Sequence, residues 1–188
     1  KNPALVFADA PRERLLPTLL RSSFQNSGQI CLCGSRLLIE DAIYDEIRDA
    51  LVGAARELQV GDPLDPTTTM GPQASGAQWR RVQALIETGI KEGARVIAGG
   101  PGRPEGLGRG FFTRPTIFSG VTNNMTVARE EIFGPVLCIL PYTDEDEAIR
   151  IANDTPYGLS GYVSSGDLEH ARAVARRIRA GNVHLNGQ

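Results

Sequence analysis

The chain has 188 residues with a formal net charge of −2, and 41% of its residues are hydrophobic against 22% charged. That length supports one ordinary domain with a sizeable core, and that balance argues against a disordered segment. The slightly acidic chain offers no basic footprint for nucleic acid or an anionic membrane, and no apolar run reaches the roughly 20 residues of a transmembrane helix.

Ala4 to Ala8 is a short apolar run of strand character closed by Asp9. A helical turn follows, and Pro17 is expected in the first turn of a second helix whose apolar side is Leu19, Leu20 and Phe24. Ser35 to Glu40 reads as a strand, and Asp41 as the cap of a long helix with Ile43, Ile47, Leu51 and Ala55 at helical spacing. Gly61 to Pro72 is loop. A helix is expected from about Ala77 to Glu92 and a strand at Arg95 to Ala98. The glycine-rich run from Gly99 to Gly110 must be an irregular surface loop. Strands are predicted at Phe111 to Phe118 and Val136 to Tyr142, and Asp144 with Glu147 forms a capping box for a helix ending near Asn153. Strand Gly161 to Val163, helix Leu168 to Ile178 and a strand over Gly181 to Asn186 complete the pattern. Strands alternating with helices predict an α/β fold: a largely parallel open sheet with helices on both faces, in a single domain over 1–188. Lys1 runs into the first strand with no starting Met, and the last strand stops without a tail. The expectation is a domain excised from a longer chain.

Chemistry has few places to sit. There is no G-x-G-x-x-G after a strand, no P-loop and no G-x-S-x-G elbow. His170 and His184 lack the neighbours of a zinc site, so no metal is expected. Cys31, Cys33 and Cys138 are sparse and odd in number, which argues against a disulfide framework and for a reducing, cytoplasmic setting. The stretch Phe24-Gln25-Asn26-Ser27-Gly28-Gln29-Ile30-Cys31-Leu32-Cys33 puts Cys31 just past a helix end, in a turn of small and amide residues. A nucleophilic cysteine needs donors or a base to favour its thiolate, and the Cys31 N–H could itself face an oxyanion. Taken by residue type alone, Cys31 and Cys33 are equally readable as small core residues. The second stretch, Glu130-Glu131-Ile132-Phe133-Gly134-Pro135-Val136, is a fixed turn before a strand. Its carboxylate could hold sugar hydroxyls and its ring could lie on a flat cofactor, or it is a solvated acidic turn with a buried Phe.

Together these two stretches resemble the aldehyde dehydrogenase superfamily, and the resemblance runs along essentially the whole chain. It is carried by Phe24-x-Asn26-x-Gly28-Gln29-x-Cys31 and Glu130-Glu131-Ile132-Phe133-Gly134-Pro135, with lesser matches at Gly71-Pro72, Gly110-Phe111-Phe112-x-x-Pro115-Thr116, Asn153-x-x-x-Tyr157-Gly158-Leu159 and Gly181-x-Val183-x-x-Asn186. The resemblance implies that Cys31 is the catalytic thiol, that Glu131 holds the nicotinamide ribose and that Phe133 lies beside the nicotinamide ring. It places Gln78 and Arg81 near the cofactor ribose. Asn182 and His184 depart from the commoner residues there. The implied activity is oxidation of a small-molecule aldehyde by NAD, or NADP, through a Cys31 thiohemiacetal and thioester. The whole enzyme is then expected to be a cytoplasmic homo-oligomer, a dimer or a tetramer. Lys1 matches the end of a Glu-Leu-Gly-Gly-Lys segment, which implies that the general base, the oxyanion Asn and most of the cofactor-binding domain lie outside this chain, leaving it inactive alone. Two other readings share the motifs: an acylating, CoA- or phosphate-dependent cysteine reductase, and a non-catalytic structural domain.

Overall fold

The computed structural model describes residues 1–187. Seven strands form one sheet: β1 (Pro3–Val6), β2 (Arg36–Glu40), β3 (Arg95–Ala98), β4 (Thr116–Ser119), β5 (Val136–Tyr142), β6 (Ser160–Ser164) and β7 (Asn182–Leu185). Their spatial order is β3-β4-β5-β2-β1-β6-β7. Every pairing is parallel except β3 with β4 at one edge. The helices are α1 (Arg12–Phe24), α2 (Asp41–Glu57), α3 (Gly76–Lys91), the short α4 (Thr126–Arg129), α5 (Glu145–Asn153) and α6 (Leu168–Ala175).

Central strands buried on both faces explain the near-continuous apolar runs. Ala4, Val6, Leu37, Ile39, Leu137 and Ile139 point to the α1 and α2 side, where Leu15, Leu19, Ile43, Ile47 and Leu51 cover them. Their neighbours point the other way. Leu5, Phe7 and Leu38 meet α5 and α6 through Ile149 and Val174, and Val136, Cys138 and Leu140 meet α3 and α4 through Val82, Ile86 and Val127. The expected two-faced α/β sheet is therefore present.

Several local expectations are corrected. Pro17 sits inside a continuous α1 rather than opening a second helix. An interior proline costs about 3 kcal/mol. Burying Leu15, Leu19 and Phe24 on one face contributes about 1.5–3 kcal/mol each, which outweighs that cost. Asp41 is the first helical residue of α2, not its cap; Glu40 occupies that position and makes no capping bond. Strand β4 begins only at Thr116, because residues 111–112 spend their carbonyls elsewhere: the Gln73 N–H bonds Phe111 O at 2.8 Å and Trp79 Nε1 bonds Phe112 O at 2.8 Å. The capping box is half formed, since the Glu147 N–H bonds Asp144 Oδ1 at 2.9 Å while the Glu147 carboxylate turns to the Thr143 N–H. Helix α6 stops at Ala175, short of Ile178.

Arg36 ties the sheet to α5. Its guanidinium is buried at 1% exposure. It donates to Asn123 Oδ1 at 2.7 Å, Ile151 O at 2.8 Å, Ala152 O at 2.7 Å and Lys1 O at 3.1 Å. Two of those acceptors are carbonyls in the last turn of α5, which a cation stabilises. Burial lowers the Arg36 pKa to about 10, which leaves it charged at neutral pH.

Candidate active site

Cys31 lies in the loop between α1 and β2. The Cys33 N–H bonds Ile30 O at 3.0 Å, which closes a four-residue turn with Cys31 at its second position. Asn2, just before β1, donates through Nδ2 to Cys31 O at 2.6 Å and Cys33 O at 3.1 Å. The Tyr162 hydroxyl, from β6, donates to Leu32 O. No acceptor among the described residues takes the Cys31 N–H. A backbone donor beside an exposed thiol is what a developing oxyanion requires.

The approach to this turn is strained. Asn26, Ser27 and Gly28 occupy the left-handed region in succession, with φ of 50, 57 and 71 degrees. Such residues persist only where their surroundings hold them. Here Ser27 Oγ donates to Gly71 O at 2.6 Å, buried Gln73 donates to Ser27 O at 3.2 Å, and Gln29 Oε1 accepts the Ala74 N–H at 2.8 Å. Gly28 then meets Gly134 so closely that a Cβ on Gly28 would lie 2.0 Å from the Gly134 carbonyl oxygen. This backbone contact joins the Cys31 loop to the Glu131–Pro135 turn, about a hundred residues away along the chain.

In that second turn Phe133 also has positive φ, 57 degrees, which turns its ring outward and leaves it 38% exposed. Gln78 and Arg81, on the first two turns of α3, hold it from below. Arg81 donates to Glu131 O at 2.8 Å and Ile132 O at 3.1 Å; Gln78 donates to Ile132 O at 3.1 Å and Phe133 O at 2.7 Å. Both side chains thus brace the turn. Ser75 Oγ caps α3 by accepting the Gln78 N–H at 3.1 Å. The Glu131 carboxylate is exposed and takes no hydrogen bond from any described residue, so it is open to a diol.

Cys31, Glu131 and Phe133 line one cleft of about 190 Å³, whose other walls include Leu159 and Tyr157. It sits where β1, β2, β5 and β6 begin, the opposite edge from the usual crevice at strand carboxyl ends. A second cleft of about 210 Å³, lined by Arg21, Gln25, Leu32 and Tyr162, shares Ile30 and Cys33 with the first. The Cys31 turn is the wall between them. Burial pushes the Cys33 and Cys138 thiols above their ordinary range, which keeps them protonated and inert. His184 does not enter the first cleft: its ring stacks on Tyr162, centroids 5.0 Å apart, with Asn182 Nδ2 3.3 Å from its Nε2. Among the described residues no group of three or more His, Cys, Asp or Glu could hold a metal ion, and no helix is long and apolar enough to cross a membrane.

The sequence brought Cys31, Glu131 and Phe133 forward, and the fold sets them around one opening. It did not single out Asn2, Gln73 or Tyr162. Their hydrogen bonds join segments far apart along the chain and no local pattern marks them.

An exposed cysteine on a strained turn thus faces an apolar cleft together with an open carboxylate and a presented aromatic ring, at one end of an α/β sheet. The chain belongs to the aldehyde dehydrogenase family, whose profile matches residues 1–188. It is 51% identical over 187 residues to 3-succinoylsemialdehyde-pyridine dehydrogenase of a Pseudomonas species, covering 100% of this chain and 39% of that protein. A putative aldehyde dehydrogenase of Staphylococcus saprophyticus is 44% identical over 186 residues, covering 99% and 39%. Among solved structures, aldehyde dehydrogenase C of Pseudomonas syringae, a mutant in complex with NAD+ and octanal, superposes with a TM-score of 0.96 at 47% identity, covering 99% of this chain and 38% of that one. A Mycobacterium tuberculosis aldehyde dehydrogenase complexed with NAD+ gives 0.96 at 44% identity, covering 100% and 39%. The chain spans about 39% of the length of the curated relatives it matches.

Proposed function

We propose that the protein carrying this chain oxidises an aldehyde to a carboxylic acid with NAD, and that Cys31 is the nucleophile. The observation that carries this is the pairing of the exposed Cys31 thiol, its unengaged N–H and the Glu131–Phe133 turn around one cleft. The Cys31 thiol gives its proton to solvent, its Sγ thiolate adds to the carbonyl carbon as the C=O π pair moves onto oxygen, and the Cys31 N–H donates to that oxyanion. Glu131 holds ribose hydroxyls, and Phe133 offers its ring face to the nicotinamide. When bound, NAD accepts the hydride that leaves the substrate carbon. Cys31 is then left as a thioester, and water releases the acid. The aldehyde tail lies in the second cleft, against Leu32 and Ile30. The apolar first cleft, with Glu131 open and Phe133 turned outward, fits a flat ring carrying a diol.

In this reading the chain is one catalytic domain, and the general base and the rest of the cofactor site belong to other parts of a longer enzyme. Three free cysteines suit a reducing cytoplasm. The enzyme works as a homo-oligomer. Replacing Cys31 by Ala in the complete enzyme is expected to abolish NADH formation while NAD still binds. Turnover retained by Cys31→Ala would overturn the assignment.

A further inference from the structure

Every peptide plane of the nucleophile turn is pinned, and three of the four carbonyls are held by side chains distant along the chain. Four consecutive carbonyls have a donor: Ile30 O from the Cys33 N–H, Cys31 O and Cys33 O from Asn2 Nδ2, and Leu32 O from the Tyr162 hydroxyl. The two side chains reach the turn from opposite sides, since Asn2 lines the first cleft and Tyr162 the second. Each is itself held. Asn2 Oδ1 accepts the Ser160 N–H at 3.3 Å, and the Tyr162 ring lies between the stacked His184 ring and Gly34, where a Cβ would come within 3.2 Å of it. Burial raises the Tyr162 phenol above its ordinary value, so it stays a donor through neutral pH. Against this, the Cys31 N–H, like those of Ile30 and Leu32, has no intramolecular acceptor among the described residues, and it is the one carried by the residue with the exposed thiol.

We propose that Asn2 and Tyr162 are positioning residues that clamp the Cys31 turn, so that its free N–H points at the oxyanion formed when Cys31 attacks. The inference rests on Cys31 being the nucleophile. Neither side chain touches the reacting atoms. Both act by removing the freedom of the turn's peptide planes, so the donor needs no reorganisation as charge develops. A turn left to rotate would misplace the donor, and misplacements of about 1 Å cost on the order of a hundredfold in rate.

Two substitutions separate this from a general role in folding. Tyr162→Phe keeps the ring against His184 and removes only the hydroxyl. Asn2→Asp keeps the acceptor for the Ser160 N–H and removes the donor to Cys31 O and Cys33 O. In the complete enzyme, Tyr162→Phe is expected to lower kcat roughly tenfold and Asn2→Asp roughly a hundredfold, with aldehyde KM within about twofold of the parent. Alkylation of Cys31 by iodoacetamide forms no oxyanion, so in Tyr162→Phe, which adds no charge, its rate and pH profile should stay within about twofold; in Asn2→Asp the new carboxylate shifts the profile towards higher pH, so the rates are compared on the thiolate plateau. If kcat is unchanged in both variants, the clamp is wrong. If kcat falls only in step with the alkylation rate, the side chains merely support the thiol and the proposal fails as well. Cys31→Ala, run beside them, keeps the two claims apart. An inactive Cys31→Ala with active clamp variants overturns only the clamp, and an active Cys31→Ala overturns the nucleophile on which it rests. Should Asn2→Asp not fold, Tyr162→Phe alone decides.

Discussion

The contact between Gly28 and Gly134 sets the distance between the Cys31 turn and the Glu131–Pro135 turn, and Gly28→Ala tests it. An added Cβ would lie 2.0 Å from the Gly134 carbonyl oxygen, 2.2 Å from its carbon and 2.7 Å from the Pro135 nitrogen. These are backbone atoms, so no rotamer change relieves the overlap. Restoring ordinary contact near 3.4 Å requires the two turns to part by about 1.4 Å. Alanine at a φ of +71 degrees adds about 1–2 kcal/mol of its own. Overpacking adds about 1–3 kcal/mol more. The sum is about 2–5 kcal/mol, which lowers the thermal midpoint by roughly 5–15 °C for an unfolding unit of this chain's size and by proportionally less, roughly 2–6 °C, in the longer complete enzyme. Displacing Cys31 from Glu131 and Phe133 by that distance should cut kcat/KM about a hundredfold. The assay is thermal unfolding beside NADH formation in the complete enzyme. Gly53→Ala is the control, because its Cβ meets nothing within 4 Å and it lies inside α2. That change should stabilise by about 0.5–1 kcal/mol. A Gly28→Ala protein that melts with the parent and turns over within threefold of it would refute the reasoning.

Three further outcomes follow from the same geometry. At pH 7 iodoacetamide should label exposed Cys31 at least about tenfold faster than buried Cys33 or Cys138, whose thiols are held protonated by burial; equal labelling by peptide mass mapping contradicts this. Cys33 has a folded pKa raised above its ordinary 9.0, so its contribution is full below that value. As pH climbs past 9.0 the unfolded chain releases the proton first, and stability falls towards the folded pKa. Urea unfolding of parent and Cys33→Ala at pH 7 and pH 10 should show the parent losing more; parallel losses refute the assignment. Arg36→Met should destabilise by about 3 kcal/mol or more, because four carbonyl or amide acceptors lose their donor in the interior. A denaturation midpoint unchanged by that substitution would contradict the role given to Arg36.

What could be read from the residues, and what could not, divides by range. Cys31, Glu131 and Phe133 stand in short motifs, so their identities were visible before any folding was considered. The α/β layering was visible too, since Leu5, Leu38 and Val136 continue apolar runs that only a sheet covered on both faces can bury. Pro17 misled because local propensity yields to a helix face packed through Leu15, Leu19 and Phe24. Phe111 and Phe112 misled because their carbonyls serve Gln73 and Trp79 instead of a ladder. The Asn2 and Tyr162 bonds were invisible for a different reason. They exist because β1 lies between β2 and β6, and strand order is a property of the whole chain. Gln78 and Arg81 were expected near the cofactor ribose. Their donors reach the carbonyls of the turn that carries Glu131 and Phe133.

The central claim is that Cys31 carries the substrate carbon through a thioester. Acid quenching of the complete enzyme during turnover of an aldehyde with NAD, followed by peptide mass spectrometry, tests it most directly. The account predicts an acyl group, lighter by two hydrogens than the aldehyde adduct, on the peptide bearing Cys31 and on its Sγ. An acyl group on Cys33, or continued turnover with Cys31 never modified, would contradict it.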